Sequence, residues 1–433
     1  MLPPSLGARD TLSQASGGPG SMIISCIREA ATEAMGRGDE AGGVTLTRAA
    51  TFLSSIARSG ISGVTQAELA SADGTALPDR ALVCDRIRAE VDHISQLLGE
   101  RPDQDQVDLL ANAGKEALDL LNEAGAEARL TDLHLAGLEA VIRSDGTRPV
   151  AFVRGGFVDA SQPSLQGSEW LSALGSAESS IRHLCAATGR IDDPAQKSLG
   201  YQGTAFLVGD GLVMTSRLVL RAITREGDAD HGTLKSNIIV DFSREVGPPT
   251  TDLRFPVREI LFRGHGGNDS WQQSSGLNFD GLDIAVLALD TRIGTPPPPL
   301  PLRRCNAALH SVGGQKVCLV GFPGTTRGLA ADIFDLVFAG VKAFKRVAPG
   351  LILEPAGEGA IEKDPRNWIM SHDASTLGGH GGSPIMDLES GNSALLGIQL
   401  AGMSDRRNRA HAFERIGDSL NGIEGLNFAA GRA

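Results

Sequence analysis

Gly203 to Leu220 reads GTAFLVGDGLVMTSRLVL, short alternating apolar runs punctuated by glycine. That is the pattern of strands joined by turns, not of a helix face. It continues outward through SNIIVDF (236–242), RFPVREILFR (254–263), LDIAVLAL (282–289), KVCLVGF (316–322), IFDLVFAGVKAFKRV (333–347), LILE (351–354), NWIMS (367–371) and ALLGIQLAG (394–402). Many short strands without intervening helices point to an antiparallel barrel or sandwich and away from a parallel βαβ sheet. The run Pro296 to Pro299 divides this region near its middle and suggests a connector between two barrels of similar size.

Three of these stretches carry a resemblance. GTAFLVGDGLVMTSRLVL, LDIAVLALD and HDASTLGGHGGSPIMDLESGNSALLGIQLAG (372–402) resemble, in order, the signature blocks of the chymotrypsin/trypsin-like serine peptidases, in particular bacterial intracellular members with helical N-terminal extensions. The resemblance spans about residues 197–425 and implies a double antiparallel β-barrel. In the family the first block ends L-T-N-R-H-V, with the general-base histidine after the arginine; here Met214-Thr215-Ser216-Arg217-Leu218-Val219 puts Leu218 in that position. The carboxylate that precedes the second block's strand falls on Asp283. The third block of the family reads G-N-S-G-S-P or G-D-S-G-G-P, whereas this chain reads Gly379-His380-Gly381-Gly382-Ser383-Pro384, so the nucleophile position is Gly381.

Serine-peptidase chemistry needs a hydroxyl that attacks, an imidazole that takes and returns its proton, and a carboxylate that orients the imidazole. Leu218 transfers no proton and Gly381 has no side chain, so hydrolysis by the family mechanism is not expected. The resemblance further implies an oxyanion-hole-like nest from the N–H groups of Gly379 and Gly381. It also implies a peptide groove lined by Ser375 and by Leu400, Ala401 and Gly402, the strand on which β-addition would occur. Ser383 reads as a structural hydroxyl and His380 as an inert, hydrogen-bonded histidine.

The leading expectation is therefore a catalytically inactive trypsin-like protein that binds, scaffolds or regulates, in a bacterial protease-linked stress or defence pathway. One alternative is a serine-type hydrolase with a nucleophile foreign to the family. Another is a substrate or inhibitor of a partner protease, for which Arg406, Arg407 and Arg409 in DRRNR offer an exposed cleavage segment.

Before the strands the pattern is helical, making the whole an α+β multidomain chain. Helices are expected over 22–35, 45–58, 79–98 and 106–124, and from a Thr131 cap to Arg143. Cys84, Ile87, Val91, Ile94 and Leu98 recur at steps of three and four, the spacing of helices packed side by side, and Gly99 stops that helix. The expected organisation is a tail over 1–20, a helical docking or assembly region over 21–145, and an adaptor over 146–196 made of a hairpin (RPVAFVRGGFVD) and a helix from Ser168 to Thr188. The double barrel over 197–425 and a tail over 426–433 complete it.

Composition narrows the partners. The 433 residues carry 40 Lys and Arg against 52 Asp and Glu, a net charge of −12 that repels nucleic acid and anionic membranes. A protein partner, a protease among the candidates, is the remaining class. The 5 cysteines are odd in number and scattered, with no C-x-x-C pair, and no H-E-x-x-H motif occurs. Neither a disulfide framework nor a metal or other cofactor is expected. No run is long and apolar enough for a membrane span, and no secretory signal is evident at the start, so a cytoplasmic location is expected. Arginine far outnumbers lysine, the bias of a GC-rich bacterial coding sequence.

Overall fold

The computed structural model describes residues 80–124, 128–146, 148–196, 200–248, 252–265, 279–304, 311–323, 343–357, 364–376, 380–391, 393–400 and 408–429. The tail over 1–20 and the helices expected over 22–35 and 45–58 lie outside them. Residues 80–119 and 129–433 form one compact unit, so the boundary expected after residue 145 runs through packed elements.

Helix α1 (Arg80–Leu98) buries the stripe Ile87, Val91 and Ile94 and ends where Gly99 takes a left-handed φ of 70°, its N–H bonded to the Ser95 carbonyl. Glycine adopts that conformation without steric cost, which is why the helix stops there. Helix α2 (Gln104–Ala124) is linked to α1 by Arg88 Nε donating to Asp108 Oδ1 at 3.0 Å. Helix α3 (Asp132–Ser144) starts at a reciprocal cap: Thr131 Oγ1 accepts from the His134 N–H, and His134 Nδ1 accepts from the Thr131 N–H. Helices α2 and α3 cross backbone to backbone at Gly114 and Gly137; a Cβ on Gly114 would lie 2.7 Å from the Gly137 carbonyl oxygen.

The hairpin of the adaptor forms as β1 (Ala151–Arg154) and β2 (Phe157–Val158). Both turn residues, Gly155 and Gly156, have positive φ, as a two-residue hairpin requires. The single helix expected over 168–188 is two, α4 (Glu169–Ser176) and α5 (Glu178–Ala187). They break at Ala177 (φ −102°, ψ 16°), directly after the weak helix formers Gly175 and Ser176.

Strand β3 (Thr188–Asp192), which the sequence assigns to the adaptor, is a strand of the first barrel. With β4 (Tyr201–Gly209), β5 (Leu212–Thr215), β6 (Ile239–Asp241), β7 (Arg254–Arg263) and β8 (Ala285–Leu289) it closes in the order β3-β4-β5-β8-β7-β6. Every pairing in that ring is antiparallel. Helix α6 (Arg217–Ile223) follows β5 directly.

The second barrel contains β9 (Lys316–Gly321), β10 (Arg346–Glu354), β11 (Ile369–His372), β12 (Pro384–Asp387), β13 (Leu395–Gln399) and β14 (Asn408–Ala412). Their order is β11-β14-β13-β12-β9-β10, closed by β10 on β11, and β1 and β2 extend it beyond β10. One apolar core runs through the adaptor and both barrels, with Trp170, Leu184, Phe206, Val286, Val320 and Phe413 fully or almost fully buried in it.

Between the barrels the proline-rich connector is pinned by the Leu300 N–H to the Leu207 carbonyl at 2.9 Å. Residues 426–429, expected to belong to a tail, are instead strapped down. The Asn427 N–H donates to the Val208 carbonyl, and Leu302 is bonded on both sides to Asn427 and Ala429. The apolar Leu426 and Phe428 pack on the core, which gives this stretch a reason to stay.

Candidate functional site

The site is built where β5 turns into α6. Ser216 caps that helix, its Oγ accepting from the Val219 N–H at 3.4 Å. Arg217 is the first helical residue, and its N–H donates to Asp283 Oδ1 at 2.7 Å. Leu218 comes next and is half-buried. The Asp283 carboxylate thus holds the start of the helix that carries Leu218. From the other barrel, His411 Nε2 on β14 accepts the Asp283 N–H at 2.9 Å. An accepting Nε2 leaves the ring proton on Nδ1, and burial pushes the His411 pKa down to about 3, which keeps the ring neutral.

The third loop reaches the same seam. The Gly381 carbonyl accepts from the Thr204 N–H of β4 at 3.3 Å, crossing from one barrel to the other. Gly382 has φ 83°, and a Cβ there would collide with the Thr204 carbonyl oxygen and lie 2.7 Å from Thr215 Oγ1 and 3.2 Å from the Ser216 nitrogen. Only glycine fits this position, because conformation and space both exclude a side chain. The Gly382 N–H donates to the Gln399 carbonyl, and Ser383 closes a turn onto the His380 carbonyl. Leu218, Asp283 and Gly381 therefore lie on one inter-barrel seam, tied by the Arg217–Asp283 bond and by the packing of Gly382 on Ser216.

The hydroxyls around this seam are sequestered. Ser383 is fully buried, its Oγ packed against the Cα of Gly321. Thr215, also fully buried, donates to the Thr204 carbonyl at 2.7 Å. His380 is buried, with its ring edge against Gly321.

The groove candidates divide. Leu400 is buried with Phe279 and Ile369, so its side chain is a core contact and not a groove wall. Ser375 is half-buried in the loop between β11 and Gly381. Arg409, expected in an exposed cleavage segment, lies within β14 and pairs with Glu354 at 2.9 Å, because alternation along the strand turns it toward that carboxylate. Gly379, Ala401, Gly402, Arg406 and Arg407 lie outside the described residues.

Sequence reasoning missed His411, whose bond to Asp283 spans 128 positions and has no local signature. It also missed His372, buried on β11 with Nε2 2.6 Å from Gln399 Oε1 and a pKa lowered by burial to about 4. Among the described residues no group of His, Cys, Asp and Glu is arranged to hold a metal ion. Among the same residues no helix is long and apolar enough to cross a membrane.

Residues 203–398 match the family described as Trypsin-like peptidase domain. A probable serine protease of Lysobacter enzymogenes is 27% identical over 357 residues, covering 77% of this chain and 88% of that protein. Among solved structures, the active form of Rv3671c protease from M. tuberculosis aligns with 19% identity, a TM-score of 0.34 and coverage of 58% of this chain and 86% of that one. Deg5 aligns with 16% identity, a TM-score of 0.37 and coverage of 58% and 96%.

Proposed function

We propose that the trypsin-like peptidase domain formed by residues 203–398 works in this chain as a non-hydrolytic binding module for protein segments, with the helices before it as a docking or assembly element. The observation that carries the proposal is the pair Leu218 and Gly381 on the seam that holds Asp283. Leu218 supplies no base and Gly381 no nucleophile, while the backbone frame around both is kept by the Arg217–Asp283 and Thr204–Gly381 bonds. In this family's chemistry, loss of triad members leaves about 10³ to 10⁴-fold acceleration at most, attributable to binding and the oxyanion hole. Binding has no need of either missing group.

A nucleophile from elsewhere in the seam is disfavoured by burial, since Ser383 and Thr215 present no accessible Oγ. The odd, scattered cysteines and the arginine-rich composition favour the cytoplasm of a bacterium as its place of work. A role beside a partner protease fits a frame without a base or a nucleophile.

The test is labelling with a fluorophosphonate probe, read by mass spectrometry, together with casein turnover by protein free of contaminating protease. The native chain is expected to give no labelled serine and no turnover. A labelled residue or cleaved casein would overturn the proposal. In the double variant Leu218→His, Gly381→Ser, labelling at position 381 is the expected positive result if the frame has stayed in register.

A further inference from the structure

Arg148 lies four residues beyond the end of α3, and the chain reaches it through Gly146, whose φ of 86° sets it against the Ser164 carbonyl. Its guanidinium grips one carboxylate with two hydrogen bonds, Nε to Asp373 Oδ1 at 2.9 Å and Nη2 to Asp373 Oδ2 at 2.5 Å. Both side chains are about nine-tenths buried, and the guanidinium also lies over the Trp170 ring. A planar fork on a carboxylate, shielded from water, fixes position as well as charge.

Asp373 is the first residue after β11 and the start of the loop that leads to Gly381. Its Oδ1 also accepts the Leu351 N–H of β10 at 2.7 Å. The next residues are held in turn: the Ala374 carbonyl accepts from Asn408 Nδ2 at 2.6 Å, and Thr376 Oγ1 donates to Asn408 Oδ1. On the other side of Asp373, His372 bonds Gln399, whose carbonyl holds the Gly382 N–H. A continuous set of contacts therefore runs from Arg148 to the glycine beside the nucleophile position.

The helical end of this set is equally fixed. Glu90 of α1 is buried and accepts from Gln162 Nε2 at 2.6 Å and from the Ser164 N–H at 3.0 Å. Helix α1 packs on α3 and on residues 163–165, the segment against which Gly146 rests. The packed α3, with Arg148 four residues beyond it, is thus one end of the set, and the loop after β11 is the other.

We propose that Arg148 is a positioning residue through which docked α3 holds the rim loop 373–376, so that the position of the helices and the shape of the cleft depend on each other. This rests on the reading of the cleft as a binding surface, and it names how that surface is regulated. The physical carrier is the Arg148–Asp373 ion pair just beyond α3; releasing α3 weakens that fork and leaves the loop with only the Leu351 N–H and Asn408 to hold it.

Native-state hydrogen exchange of the full chain at increasing urea tests this without any ligand. In the unaltered protein, amides of 369–376 and Gly382 are expected to open together with 136–144, at lower urea than β4 and β5. Arg148→Ala is expected to speed exchange over 369–376 by about 10- to 100-fold without denaturant, leaving β4 and β5 unchanged. Arg148→Lys, with a point charge in place of the fork, should fall between. Asp373→Asn, which keeps an acceptor for the Leu351 N–H, should loosen the loop in the same way and serves if Arg148→Ala does not fold. Unaltered protection of 369–376 in these variants would overturn the proposal, as would its opening with β4 and β5 in place of α3. Fluorophosphonate labelling of the native chain would end the binding reading while leaving the exchange result to stand.

Discussion

Asp283 is gripped from both barrels: its carboxylate takes the Arg217 N–H at 2.7 Å, and its own N–H goes to His411 Nε2 at 2.9 Å. The Asp283 carboxylate thus caps the start of α6, while its backbone N–H donates the bond that crosses to the second barrel. Asp283→Ala should therefore lower stability by about 1–3 kcal/mol, because it orphans the Arg217 N–H and loses the cap. Asp283→Asn, which retains an acceptor oxygen, should cost less. Urea midpoints of the two variants check the order; equal midpoints with the unaltered protein would show the cap to be dispensable.

Acid should weaken the fold through its buried histidines. His372 and His411 have folded pKa values lowered by burial to about 4 and about 3, against an ordinary value near 6.5 in the unfolded chain. A lowered folded pKa means that the unfolded chain takes up the proton first. Their contribution is whole above pH 6.5 and is lost as pH falls toward 4 and then 3. Between pH 6.5 and 5 each should cost about 2 kcal/mol. Urea denaturation at several pH values should show that slope, and the double variant His372→Gln, His411→Gln should flatten it.

Gly382→Ala is expected to be among the most damaging small substitutions. It forces an L-residue to φ 83° and drives a methyl into the Thr204 carbonyl at the inter-barrel seam. A cost of about 2 kcal/mol or more is expected, with a thermal midpoint several degrees lower. Gly391→Ala, also at positive φ but with no atom near its Cβ, is the control and should cost about 1 kcal/mol.

Lys345 is fully buried, its Nζ donating to the Cys185 carbonyl at 2.6 Å and the Phe242 carbonyl at 2.8 Å. Burial lowers its pKa. One ammonium thus joins the adaptor, the first barrel and the strand leading into the second. Lys345→Met fills the space but strands two carbonyls, and should cost about 2–4 kcal/mol. A midpoint shift below the error of the melt would remove Lys345 from the elements that hold the three parts together.

Much of this architecture was legible because local patterns specify it. The alternating run from Gly203 to Thr215 became paired strands, although Arg217–Leu220 at its end turned into helix α6; Gly99 and Thr131 marked helix ends, and two consecutive glycines marked the hairpin turn. Leu218, Asp283 and Gly381 were singled out by their motifs, and the bonds of Arg217 to Asp283 and of Thr204 to Gly381 put them along one seam. What stayed hidden depends on distance along the chain. Nothing near Thr188 says that it pairs with Phe206 in a barrel, and nothing near Arg148 points to Asp373, 225 positions on. Arg409 misled for a related reason: a basic run looks exposed until β10, one strand beyond its neighbour β11, supplies Glu354.

The order of strands along the chain has a further consequence for synthesis. All six strands of the first barrel are contiguous, from Thr188 to Leu289, so that barrel can close while the ribosome is still translating. The hairpin before it cannot find its place so early, because Ala151 pairs with Val347, roughly 200 residues later. At about 5–20 residues per second, that edge waits on the order of 10–40 s with no sheet to join. A nascent chain stalled after residue 290 should therefore carry a protease-resistant first barrel preceded by a hairpin that is still cut, and only further elongation should protect it.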